Sequence, residues 1–103
     1  MYILTESRTV NKIAELIREN SNIFSGFNNV YVFGSVLNEK CVPNDLDILL
    51  VYEGDAMRVL HKVSDIRLIF EKNMKLPIDL TILSSKEVVE TDFLEKINYV
   101  KVK

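Results

Sequence analysis

A chain of 103 residues with net charge −2 and a pI near 5.4 fits one compact domain, residues 1–103, and argues against strong nucleic-acid binding, which needs clustered Lys and Arg. A hydrophobic fraction of 48% and a mean hydropathy of +0.08 are globular values, so a packed core is expected. The single cysteine, Cys41, excludes an intrachain disulfide and a cysteine metal cage; no apolar run reaches membrane-spanning length, and Met1-Tyr2-Ile3-Leu4 lacks the features of a signal peptide, so the cytoplasm is the expected compartment.

In chain order, residues 8–20 place Val10, Ile13, Ala14 and Ile17 on one face at helical spacing, and Glu19-Asn20-Ser21-Asn22 ends that predicted helix. Turn chemistry around Gly26 and Asn28-Asn29 leads into a first strand, Val30-Tyr31-Val32-Phe33, which stops at Gly34-Ser35. A polar loop over 36–44 precedes the second strand, Leu46-Asp47-Ile48-Leu49-Leu50-Val51-Tyr52. A run this apolar on both faces predicts a central strand. Residues 55–74 carry an apolar stripe (Ala56, Val59, Leu60, Val63, Ile66, Ile69, Phe70, Met74) and predict one long helix that Pro77 stops. Arg58 and Arg67 fall near one face of it and read as solvated charge, and His61 as surface or boundary packing. A third strand follows at Ile78-Asp79-Leu80-Thr81-Ile82-Leu83. Ser84 or Ser85 then caps a last helix with Glu87 in its first turn and Val88, Phe93, Leu94 and Ile97 on its apolar face. The tail bearing Lys96, Lys101 and Lys103 reads as a solvated end. The order predicts an α/β (α+β) domain, a small mixed sheet with helices packed on it.

Chemistry concentrates in three aspartates. Side chains alternate along a strand, so Asp45 and Asp47 point the same way, their Cα atoms roughly 7 Å apart. Like charges this close raise each other's pKa unless a cation lies between them, and a hard divalent ion with oxygen ligands resolves the repulsion. If the second and third strands are neighbours, Asp79 joins the pair as a third carboxylate. Gly34-Ser35 offers a sharp turn whose N–H groups and hydroxyl suit a phosphate. Each element alone has an ordinary account: an Asx turn for Asp45, solvent-facing strand residues for Asp47 and Asp79, a plain turn for Gly34-Ser35. Their joint occurrence, in order, at the ends of three predicted strands singles out phosphoryl or nucleotidyl transfer.

The stretch Val32-Phe33-Gly34-Ser35, the loop, Asp45-Leu46-Asp47-Ile48-Leu49-Leu50-Val51 and then Ile78-Asp79-Leu80 resembles the signature of the DNA polymerase beta-like nucleotidyltransferase superfamily. Among its members the chain looks closest to the minimal nucleotidyltransferases. The resemblance implies the polymerase beta-like fold and a catalytic, metal-binding set of Asp45, Asp47 and Asp79 around two Mg²⁺ ions, with Mn²⁺ as a substitute. It also implies that Gly34 and Ser35 hold the phosphates of a nucleoside triphosphate, ATP above others. Many minimal members carry an arginine shortly after the Gly-Ser pair; Val36, Leu37 and Asn38 stand there in this chain, and Lys40 is the available replacement as a weaker phosphate contact. By the same analogy the acceptor is a protein hydroxyl, and the chain is the antitoxin of a pair whose other member is a helical, HEPN-like protein. Two other readings stay open: the catalytic subunit of a two-chain enzyme acting on a small hydroxyl compound, and a non-catalytic partner-binding module.

Overall fold

The computed structural model describes residues 8–38 and 43–103. The predicted Lys40 contact and Cys41 lie outside the described residues. Helix α1 spans Arg8–Glu19 and buries Val10, Ile13, Leu16 and Ile17. Asn20 ends it, its side-chain amide donating to the Leu16 carbonyl at 2.8 Å. A short helix that periodicity did not predict, α2 (Ser21–Phe24), follows and puts Phe24 in the core against Phe70, with ring centroids 5.7 Å apart.

Among the described residues, four strands make one mixed sheet: β1 (Asn29–Phe33), β2 (Leu46–Tyr52), β3 (Ile78–Ser84) and β4 (Tyr99–Lys101), in the order β3-β2-β1-β4. β1 pairs antiparallel with β2 and β4, and β2 pairs parallel with β3. β2 is the central strand that its apolar sequence requires, and Leu46, Ile48, Leu49 and Leu50 are fully buried. One face of the sheet, with Val30, Val32, Ile48, Leu50 and Val100, packs against the helices. The opposite face carries Asp47, Leu49 and Asp79. Because β3 and β4 are opposite edges, the chain between them crosses that face, where Phe93 meets Phe33 edge-on at 5.5 Å.

The helix expected over 55–74 is two helices, α3 (Met57–Leu60) and α4 (Val63–Met74). The interruption has tertiary causes. Val59 lies over Gly26, where a methyl group would come 2.7 Å from Val59 Cγ1, while Lys62 Nζ donates to Asn22 O at 3.1 Å and Ser25 Oγ at 3.2 Å. The apolar stripe survives as buried Val59, Ile66 and Phe70, which is why the break is invisible in the sequence pattern. α4 ends on Lys75, at φ +55 in the left-handed region that favours glycine. Lys75→Gly should therefore stabilise the protein by about 0.5–1 kcal/mol, read as a rise in Tm of a few degrees. An unchanged or lower Tm would show that the lysine side chain offsets the backbone strain.

The last helix is shorter than expected. α5 covers Ser85–Glu90, with Ser84 as cap in a capping box: the Glu87 N–H donates to Ser84 Oγ and the Ser84 N–H to the Glu87 carboxylate, and hydrogen bonding from Ser84 holds that carboxyl below its usual range. Thr91 Oγ1 donates to the Glu87 carbonyl and Asp92 turns left-handed at φ +53, so Phe93, Leu94 and Ile97 fall outside the helix. The tail's lysines are exposed, as expected of a solvated end, but its backbone is paired. It becomes β4, and Lys103 Nζ donates to the carbonyls of Phe24 and Phe27, with burial pulling its pKa down.

Candidate active site

The strand registers bring the aspartates together. Asp47 lies directly opposite Phe33 on β1 and Asp79 on β3. Asp47 and Asp79 are each the second residue of parallel neighbouring strands, and Asp45 immediately precedes β2. All three therefore stand at one end of the sheet. One carboxylate oxygen from each lies within 4.8 Å of the others; Asp45 and Asp47 are half-buried and Asp79 is exposed. The adjacency of strands two and three, conditional in the sequence, is what the parallel register supplies.

Gly34 belongs to the same place. It follows β1 at the end where the aspartates sit and opens a 3-10 turn, Gly34–Leu37, with φ +83. A methyl group at Gly34 would run into Asp47 Oδ2 and come 3.0 Å from Asp47 Cγ. The glycine is thus required twice, by its backbone angle and by the carboxylate lying over it. Val36 is 92% removed from solvent, since 8% of its surface remains exposed, and anchors the turn in the core. Val36, one of the positions after Gly34-Ser35 where an arginine would be sought, is used here for packing. Ser35 stays exposed, its carbonyl accepting the Asn38 N–H at 3.0 Å.

The electrostatics follow from this crowding. Burial raises the Asp47 pKa to about 6, with the charges of Asp45 and Asp79 and a hydrogen bond shared with Asp79 adding to it. A cation lying between the carboxylates would relieve the part of this shift that comes from like charge. The donors fit one. All are hard carboxylate oxygens, and neighbouring ligands of a six-coordinate Mg²⁺ stand about 3 Å apart and opposite ones about 4.2 Å. The three carboxylate oxygens, all within 4.8 Å of one another, are spaced on that scale.

Two neighbours of the cluster escaped the sequence. Phe33 shares the face of Asp47, which only the β1–β2 register reveals. Arg67, expected as solvated charge, is half-buried and donates Nη1 to the Ile78 carbonyl at 2.7 Å, one residue before Asp79. Nothing in helical spacing could have found it, because the contact depends on how α4 crosses the β3 edge.

A solved structure described as a "putative nucleotidyltransferase from Sulfolobus solfataricus" superposes on this chain with a TM-score of 0.50 and 22% identity, over 81% of this chain and 73% of the other. The fold is shared. At that identity the likeness speaks to architecture: a small mixed α/β sheet with helices, as the sequence order predicted. No protein-family model and no curated protein sequence matches the chain. No helix among the described residues is long and apolar enough to cross a membrane.

Proposed function

We propose that this chain is a nucleotidyltransferase that moves AMP from ATP onto a protein hydroxyl presented by a helical partner. The observation that carries the reading is the convergence of Asp45, Asp47 and Asp79 beside Gly34. Asp45, Asp47 and Asp79 would hold two Mg²⁺ ions. When bound, such ions neutralise triphosphate charge and lower the pKa of an attacking hydroxyl. Gly34 and Ser35, opening the 3-10 turn, present backbone N–H groups and a hydroxyl to the β- and γ-phosphates. Asp47, over Gly34, spans the distance between the phosphate turn and the other carboxylates. Asp79 is the exposed member, on the outer strand, and accepts the proton of the incoming hydroxyl. The bond that forms joins the acceptor oxygen to the α-phosphorus; the bond that breaks links that phosphorus to the β-phosphate oxygen, and pyrophosphate leaves.

The acceptor class is argued from the exposure of Asp79. Three surface hollows among the described residues lie elsewhere, one beside α5 at Val88, Asp92 and Leu94, one between α1 and α4, and one at the far ends of β2 and β3 beside Glu53 and Ser84, and none of these is lined by the three aspartates. An acceptor hydroxyl that reaches the exposed Asp79 is well held by the macromolecule that carries it. The helical, HEPN-like partner and the antitoxin role come from the signature's family.

The test uses ATP labelled at the α- or γ-phosphate, Mg²⁺ and the protein encoded beside this chain. The expected result is stable labelling of that neighbour from the α-label alone, lost with EDTA. Transfer to small hydroxyl compounds instead would favour the two-chain enzyme. Failure to bind Mg-ATP or transfer nucleotide with any neighbour present would leave a partner-binding module.

A further inference from the structure

Arg67 sits on α4, which covers the helical side of the sheet, yet its guanidinium reaches the carbonyl oxygen of Ile78 at 2.7 Å. Among the described residues β3 is an edge strand, with no ladder partner on one side of its backbone. Successive carbonyls along a strand point to opposite sides. The Pro77 oxygen accepts the Leu46 N–H from the β2 side at 2.9 Å, so the Ile78 oxygen faces away from β2. Arg67 supplies the partner that the sheet lacks there. The peptide it holds joins Ile78 to Asp79, the residue that completes the carboxylate cluster.

We infer that Arg67 is a positioning residue for Asp79, its hydrogen bond clamping the Ile78–Asp79 peptide at the open edge of β3 and thereby setting where the third carboxylate meets the other two. The inference rests on the reading of that cluster as a metal site. Two features make arginine suited to the task. A guanidinium bond to a carbonyl is charge-assisted and stronger than a neutral one, and Arg67 is half-buried, which limits competition from water. The start of an edge strand is also where a sheet frays most readily, and Ile78, 7% exposed, gives the clamp a fixed base in the core.

A clamp and a bare charge make opposite predictions. As a charge, a guanidinium near three carboxylates opposes an incoming cation, and removing it would tighten cation binding. As a clamp, its removal loosens the ligand set and weakens binding. The experiment compares Arg67→Met, Arg67→Lys and Arg58→Met in the full chain, first metal-free by amide hydrogen exchange, then with Mn²⁺ followed by its electron-paramagnetic signal. Arg67→Met should speed exchange at the Asp79 amide about tenfold or more, the loss of one charge-assisted bond. It should weaken Mn²⁺ binding about tenfold, as loss of outer supports to metal ligands does. Arg67→Lys, which keeps a donor, should recover most of both, and Arg58→Met should leave both unchanged. An Asp79 amide indifferent to Arg67→Met, or Mn²⁺ held as tightly or more tightly, overturns the inference. Failure of the unaltered protein to take up Mn²⁺ through Asp47 would instead overturn the metal reading, and the amide exchange alone would then decide the clamp.

Discussion

Asp47→Asn is expected to abolish nucleotide transfer while leaving a protein that is more stable than the parent without metal. Asp47 is the centre of the cluster, with Asp45 on its own strand's approach and Asp79 opposite it on β3. Losing its charge removes several kcal/mol of cation-dependent stabilisation, a fall in rate on the order of 10³ or more. The stability gain has the same origin. In the folded protein burial and the two neighbouring carboxylates raise the Asp47 pKa to about 6, against about 3.9 for an unfolded aspartate. The folded state therefore binds the proton more tightly than the unfolded state. Stability of the metal-free protein must then fall as pH rises from about 4 to about 6 and stay at the lower level above that. Solvent reaches this half-open site and screens the repulsion, so the loss is ~1 kcal/mol rather than the full value of the shift. Thermal melts at pH 4.5 and 7.5 with and without Mg²⁺ check this. The parent should lose Tm toward pH 7.5 and regain it with Mg²⁺, whereas Asp47→Asn should be flat to both. Equal responses in the two proteins, or full activity of the variant, would refute the assignment of Asp47.

Gly34→Ala should be nearly as damaging to activity and, unlike Asp47→Asn, should destabilise. Alanine at φ +83 is strained by about 1 kcal/mol, and its methyl group collides with Asp47 Oδ2. Either the 3-10 turn or the carboxylate must move, for a total near 2 kcal/mol and a Tm lower by about 10 °C. The two sources separate in a double-mutant cycle. In an Asp47→Ala background the collision with the carboxylate disappears, leaving the backbone strain and a 3.3 Å contact with the Cβ at position 47, so Gly34→Ala should be about 1 kcal/mol milder there. Strict additivity would mean that the glycine serves the turn alone and not the carboxylate above it.

Local chemistry was enough to foresee much of this protein. The stripe of Val10, Ile13 and Ile17 makes α1, the uniformly apolar Leu46–Tyr52 run makes a central strand, and Ser84 with Glu87 makes the cap of α5. Those features depend on period, turn residues and side-chain hydrogen bonding over a few positions, all of which are written along the chain. β4 was harder. Tyr99-Val100-Lys101-Val102 alternates as a strand should, with Val100 buried at 6% exposure, but a three-residue strand carries too weak a signal without β1 to pair with.

What the tertiary structure decided is contact between segments distant in sequence. The parallel register of β2 and β3 sets Asp79 beside Asp47 rather than one residue off, on the opposite face. The antiparallel turn of β1 brings Gly34 beneath the same carboxylate, and Arg67 meets β3 only because α4 crosses its edge. The sequence by itself determined which side chains were available for chemistry and which strands bore them. Their meeting at one sheet end depends on strand order and register, which are selected by burial of the whole apolar face at once and are therefore properties of the folded chain as a unit.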